Sequence, residues 1–192
     1  NLNAALTSTG YENVTFNTGA GSGNTEQTIG TITVTADAAT AATTLTLKGG
    51  NAIDVGTQVT TNSTAGITVD GSGLTAQAAG TTTMDLDTVA AGAGATVTIT
   101  GSGGDDIFGE STAGVNTTLA TTINAGAGVD SIFTGAGADT INGGAGKDTI
   151  NSGAGNDTID GGADDDTIDM SGNLTNADVI DGGEGTDTLT VN

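Results

Sequence analysis

Residues 125–169 read AGAGVDSIF, TGAGADTIN, GGAGKDTIN, SGAGNDTID and GGADDDTID, five consecutive variants of one nine-residue unit. After a three-residue slip at 170–172 the unit returns as NLTNADVID (173–181) and GGEGTDTLT (182–190). One isolated copy, GSGGDDIFG, lies upstream at 101–109. The copies follow the pattern G-G-x-G-x-D-x-U-x, where U is a large apolar residue, and such phased copies indicate a repeat architecture.

Two positions of the unit have no exception, because the sixth is always aspartate and the eighth is always large and apolar. Glycine at the second position reaches positive φ without steric penalty, so each unit predicts a tight turn followed by a short strand. We expect the eighth-position side chains to point inward and to stack in one apolar column, with two units per coil. The sixth-position residues are Asp106, Asp130, Asp139, Asp148, Asp157, Asp166, Asp178 and Asp187, and the eighth-position residues are Phe108, Ile132, Ile141, Ile150, Ile159, Ile168, Ile180 and Leu189.

With two units per coil, successive turns fall on opposite edges, and every second unit is a same-edge neighbour. Carboxylates stacked at the strand spacing of ~4.8 Å repel each other and need a cation between them. Ca²⁺ fits this gap because it takes ~6 to 8 oxygens, including backbone carbonyls, whereas Mg²⁺ demands a tighter octahedron. The predicted rows are Asp130, Asp148, Asp166 and Asp187 on one edge, and Asp139, Asp157 and Asp178 on the other.

The nonads resemble those of the RTX family of Ca²⁺-binding secreted proteins, over 66 contiguous residues and the isolated copy. This resemblance implies that sixth-position aspartates and turn carbonyls of same-edge loops share several Ca²⁺ ions. The implied pairs are Asp130 with Asp148, Asp139 with Asp157, and Asp148 with Asp166.

The departures from the family pattern include Asp164, which replaces the fourth glycine of its unit, and Leu174 and Asn176, which stand where glycines belong. Asp and Asn tolerate the left-handed conformation better than other residues, so we expect these turns to persist.

Residues 1–100 are rich in Thr, Ala and Gly and contain short runs in which apolar residues alternate with Thr, a pattern typical of half-buried strands. We predict an all-β chain, a right-handed parallel β-solenoid with an irregular domain at 1–100 and a coaxial Ca²⁺-binding β-roll at 101–192; a sandwich is the alternative for the first domain. A first helical turn is possible at 2–6, and the insert 110–124 can supply one further strand. The predicted strand runs are 12–16, 30–36, 43–48, 66–70, 82–87 and 95–100.

Composition excludes several classes of function. The chain has no His or Cys and a net charge of -21, so it offers no Ser/His/Asp or Cys/His arrangement and repels nucleic acid and anionic membranes. Asp85 and Asp87 form a carboxylate pair, but with few aromatic and basic residues nearby a solvated strand face or an extra Ca²⁺ site explains them better than glycoside hydrolysis. Lys48 and Lys147 are isolated and are interpreted as solvated charges. We therefore predict no enzyme activity.

The phrase GYENVTF, followed by Thr- and Ala-rich runs and then GGxGxD loops, resembles the S-layer proteins of Gram-negative bacteria, of the Caulobacter type. The resemblance implies type I secretion, folding by external Ca²⁺, and self-assembly into a lattice on the bacterial cell surface, with copies of itself as partners and a possible polysaccharide anchor. The alternatives are a Ca²⁺-stiffened segment of a large RTX adhesin and a non-catalytic module of a secreted polysaccharide-active enzyme. The chain starts at Asn1, so we also expect a segment of a longer protein.

Overall fold

The computed structural model describes residues 6–18, 27–36, 38–75, 82–109, 118–170 and 172–191. These residues form strands joined by turns, and among them no helix has the length and apolarity needed to cross a membrane. The strands are β1 (Leu6–Thr9), β2 (Asn13–Asn17), β3 (Gln27–Thr35), β4 (Thr43–Gly49), β5 (Ile53–Thr61), β6 (Ile67–Leu74), β7 (Met84–Leu86), β8 (Val89–Ala90), β9 (Val97–Thr100), β10 (Asp106–Phe108), β11 (Thr121–Ala127), β12 (Ser131–Phe133), β13 (Thr140–Ala145), β14 (Thr149–Asn151), β15 (Thr158–Ala163), β16 (Thr167–Asp169), β17 (Val179–Glu184) and β18 (Thr188–Thr190).

The strands form two parallel sheets, between which the chain alternates as it advances. One sheet has the order β1-β3-β5-β7-β10-β12-β14-β16-β18, with β8 beside β5, and the other has the order β17-β15-β13-β11-β9-β6-β4-β2. Each strand pairs in parallel with a strand one coil earlier or later, as β11 does with β9 and with β13. This arrangement confirms the all-β parallel solenoid and excludes the sandwich, while the right-handed sense stays a prediction.

The repeat region has the predicted two units per coil. Ile132 is in register with Ile150, and Ile150 with Ile168, so equivalent side chains of one sheet stack every 18 residues. After the slip the interval becomes 21 residues, and Ile168 pairs with Leu189. The three additional residues are thus accommodated in the turn region without a change of register in the strands.

The core is a narrow column of aliphatic side chains between the two sheets. Leu45, Val69, Ile99, Ile123 and Ile141 are consecutive register partners in one sheet, and each is at most 1% exposed. Burying such a side chain stabilises the fold by ~1.5 to 3 kcal/mol. Strand pairing continues from β9 to β11 and from β7 to β10, so the core column crosses residue 100. The division into domains at that residue stays a prediction.

Several local expectations differ from the structure. Leu6 begins strand β1 rather than ending a helical turn, and residues 1–5 lie outside the described residues. β5, β8 and β1 are strands that the alternation did not predict. The insert supplies the start of β11 at Thr121. The eighth-position Leu189 is 48% exposed, because β18 is the last strand of its sheet and no described strand covers it.

Candidate metal centre

Glycine is required in the turns because consecutive coils touch there through their backbones. Gly144 has φ of 107° and Gly162 has φ of 111°, in the region that side chains rarely adopt. A Cβ on Gly144 would overlap the carbonyl oxygen of Gly126, and one on Gly162 would overlap that of Gly144. The departing residue Asp164 adopts φ of 81°, as predicted from the tolerance of Asp for this region. Close stacking therefore brings the carbonyl oxygens of successive turns together.

The sixth-position aspartates of each edge are joined in a hydrogen-bonded ladder. The backbone amide of each one donates to Oδ1 of the aspartate in the next coil on the same edge, as from Asp148 N to Asp166 Oδ1 at 2.8 Å. The ladder confirms the two predicted rows of neighbours, although not their role as metal ligands. On one edge the bonded pairs are Asp106–Asp130, Asp130–Asp148, Asp148–Asp166 and Asp166–Asp187, and on the other they are Asp139–Asp157 and Asp157–Asp178.

The second carboxylate oxygen is buried without a partner in five of these aspartates. Each of the five side chains is at most 1% exposed, and its Oδ2 has no hydrogen bond. A buried polar atom without a partner costs ~1 to 3 kcal/mol, and a charged one costs more, so a stack of such oxygens destabilises the fold unless a cation lies against it. The five residues are Asp130, Asp139, Asp148, Asp157 and Asp166.

The electrostatic cost of this arrangement is visible in the pKa values. Burial raises the pKa of Asp130 and of Asp148 to about 7, and the neighbouring carboxylates add to this rise. A backbone hydrogen bond to each carboxylate lowers the pKa, but by less than burial raises it. Burial likewise raises the pKa values of Asp139 and Asp166. Charged carboxylates are thus unfavourable in the metal-free roll, and a divalent cation reverses that effect.

Backbone carbonyls complete the oxygen set beside these carboxylates. The position that a Cβ of Gly143 would take lies 2.5 Å from Asp148 Oδ2 and 2.5 Å from the carbonyl oxygen of Gly161. Among the described residues no group of three or more acidic side chains converges, so a cation here needs carbonyl oxygens as well. Buried carboxylates combined with carbonyls are the ligands that Ca²⁺ accepts, and the residues present fit this ion.

Three of the predicted ligands have a different environment. Both oxygens of Asp106 accept hydrogen bonds, with Ser102 N at 2.6 Å from Oδ2 and Met84 N at 2.9 Å from Oδ1. Asp178 accepts bonds from the amides of Asp157 and Thr175, which lower its pKa. A ligand role for Asp106 or Asp178 stays a prediction.

Asp187, the third of these ligands, is exposed in the last turn of its edge. Its Oδ1 accepts a hydrogen bond from the amide of Asp166, but no described coil follows it to supply further oxygens. Its ligand role also stays a prediction.

Other polar residues of this region were not predicted to act together. Lys147 is paired with Asp165 of the next coil, on the exposed side of the turns, so it is more than an isolated solvated charge. Asp85 lies in β7, whereas Asp87 follows the end of that strand. The buried hydroxyl of Thr134 bonds the carbonyl oxygen of Ser152 in the next coil, a contact between residues 18 apart that only the two-unit register indicates.

Comparison with known proteins supports the assignment of the repeats. Residues 117–150, 143–170 and 175–191 match the family model of the RTX calcium-binding nonapeptide repeat. No curated protein and no solved structure gave a significant match to the chain.

Proposed function

Since residues 117–170 and 175–191 belong to the RTX calcium-binding nonapeptide repeats, which bind Ca²⁺, we propose that this protein is a structural component of a bacterial surface layer. RTX repeats are typical of secreted, structural, calcium-binding proteins. The observation that carries the proposal is the stack of five buried aspartate oxygens without hydrogen-bond partners, because it makes the fold of this region depend on an external cation.

Ca²⁺ couples folding to export. Binding to the folded state alone stabilises that state by ~2.7 kcal/mol per site at a hundredfold excess over Kd. A few such sites supply as much free energy as the ~5 to 15 kcal/mol that separates folded from unfolded domains. The folded repeats are therefore much less stable where Ca²⁺ is scarce than where it is abundant, which suits a chain that is secreted first and folded afterwards.

A catalytic role has no support in the residues present, since the whole sequence lacks His and Cys. The RTX adhesin remains the second candidate, because a Ca²⁺-stiffened roll also serves as a spacer. In that case the rods remain separate.

The test is negative-stain electron microscopy of the purified chain after parallel dialysis against millimolar CaCl₂, millimolar MgCl₂ and EDTA. The proposal predicts ordered sheets or filaments in CaCl₂ alone, which dissolve when EDTA is added. Dispersed single rods in CaCl₂ would reject the surface-layer role for this chain and favour the adhesin. Assemblies of equal order in all three samples would contradict the dependence on Ca²⁺.

A further inference from the structure

The turns that carry Asp148 and Asp166 begin with glycine, and this leaves space beside the carboxylates. A Cβ added to Gly143 would lie 2.5 Å from Asp148 Oδ2 and 2.5 Å from the Gly161 carbonyl oxygen. A Cβ added to Gly161 would lie 2.6 Å from Asp166 Oδ2 and 2.5 Å from the Gly182 carbonyl oxygen. In each of these glycine turns, a carboxylate oxygen and a carbonyl oxygen of the next coil face each other across a space that no side chain enters.

The turn that carries Asp139, on the opposite edge, begins with Thr134 instead. This side chain is 6% exposed, and its hydroxyl donates a hydrogen bond of 2.7 Å to the carbonyl oxygen of Ser152. Ser152 is the first residue of the turn one coil further on, so its carbonyl corresponds to that of Gly161 in the glycine turns. The hydroxyl therefore lies against the carbonyl oxygen that no side chain reaches in the glycine turns.

The two kinds of turn differ in what lies beside the carboxylate. Asp139 Oδ2, like Asp148 Oδ2, is buried without a hydrogen bond of normal geometry, but the Thr134 hydroxyl lies close enough to the Asp139 carboxylate to oppose the rise of its pKa. A side-chain hydroxyl thus lies near both the carboxylate and the facing carbonyl at Asp139, whereas no side chain enters this space at Asp148.

We propose that Thr134 determines the affinity of the calcium site at Asp139, which binds Ca²⁺ more weakly than the glycine turns at Asp148 and Asp166. An ion placed between the Asp139 carboxylate and the Ser152 carbonyl must displace the Thr134 hydroxyl, which breaks its hydrogen bond to that carbonyl. The net contribution of one such bond corresponds to a roughly two- to tenfold change in affinity. This inference rests on the calcium binding of the repeats and does not require a lattice.

Two classes of site give the roll a graded response to calcium. As the Ca²⁺ concentration falls, the ion at the Asp139 turn leaves first, while the glycine turns on the opposite edge still hold the coils together. One edge of the roll therefore loosens before the other, and complete unfolding follows only when the glycine turns release their ions.

The test measures ion release directly. The Ca²⁺-loaded chain is mixed in a stopped-flow instrument with an excess of a fluorescent chelator, whose signal gives the number of ions in each phase and their rates. The wild-type chain should show a fast and a slow phase. Thr134→Gly should slow the fast phase by about two- to tenfold without changing its amplitude. Thr140→Gly, at an exposed outward position of the same unit, is the matched control and should not slow either phase.

The direction of the change separates this role from a structural one. A glycine that merely weakened the fold would accelerate release, whereas the proposal predicts slower release. Thr134→Ala, which copies the Ala125 found at the start of the Asp130 turn, provides a second variant with the same expected direction. A single wild-type phase, or a fast phase that is unchanged or faster in both variants, overturns this inference alone. A chain that releases no Ca²⁺ overturns the proposed function as well.

Discussion

Replacing Asp148 by asparagine isolates the charge from the geometry of the ladder. Asp148 Oδ1 accepts the Asp130 amide at 2.9 Å, and the Asp148 amide donates to Asp166 Oδ1 at 2.8 Å. The Asp148→Asn variant would keep both hydrogen bonds, since the side-chain Oδ1 of asparagine is also an acceptor. The substitution removes the negative charge and puts an amide group where Oδ2 faces the Gly161 carbonyl. It therefore disables the two inter-coil gaps that this carboxylate adjoins.

The expected magnitude follows from mass action. Loss of two sites, each worth ~2.7 kcal/mol at a hundredfold excess of Ca²⁺ over Kd, lowers the free energy of unfolding by about 5 kcal/mol. In EDTA the sign reverses, because Asp148→Asn removes a buried negative charge that no cation balances, so the variant should be at least as stable as the wild type.

The assay is urea unfolding followed by circular dichroism, in millimolar CaCl₂ and in EDTA, together with calorimetric counting of bound ions. Asp160→Asn, whose side chain is exposed on β15, is the charge-matched control and should change neither curve by more than ~0.5 kcal/mol. An unchanged ion count for Asp148→Asn, or an equal loss of stability in CaCl₂ and EDTA, would refute the shared-site reasoning.

Three further results are expected. The metal-free chain should be more stable to heat at pH 5 than at pH 8. The pKa of Asp148 is about 7 in the folded chain and 3.8 in the unfolded chain, so the folded state holds this proton more tightly. The stability that this proton contributes is complete below the unfolded pKa and is lost as pH rises through 7. Thermal unfolding in EDTA should show it, and saturating CaCl₂ should reverse it. Gly144→Ala should destabilise the Ca²⁺-loaded chain clearly more than Gly172→Ala, since both have positive φ but only Gly144 meets the neighbouring coil; equal urea midpoints would contradict this. Ile150→Ala should cost about 2 to 5 kcal/mol and Leu189→Ala less, because Ile150 is fully buried and Leu189 is 48% exposed.

The nonads allowed most of the repeat region to be predicted from sequence. An apolar residue at every eighth position fixes which face of each short strand is buried, and the nine-residue interval then fixes the register of Ile132 with Ile150. Before residue 100 the pattern is weaker. The sequence of β5, IDVGTQVTT, has no apolar side chain between Val55 and Val59, and its pairing with β3 contains a register shift. Alternation alone does not reveal a strand that carries such an irregularity.

The site was predictable in its rows but not in its details. That Asp130, Asp148 and Asp166 stack on one edge follows from two units per coil. The consensus does not specify side-chain rotamers or the contacts between coils. It therefore does not predict the hydrogen bond from Ser102 to Asp106 or the one from Thr134 to the Ser152 carbonyl. These contacts distinguish sixth-position aspartates that look identical in the sequence.

The central claim is that Ca²⁺ bound between the turns orders the repeat region. Hydrogen–deuterium exchange resolved along the chain, in millimolar CaCl₂, millimolar MgCl₂ and EDTA, tests it most directly. The account predicts that amides of β11 to β18 are protected in CaCl₂ and exchange rapidly in EDTA, with MgCl₂ restoring little of the protection. Equal protection of these strands in CaCl₂ and in EDTA would contradict it.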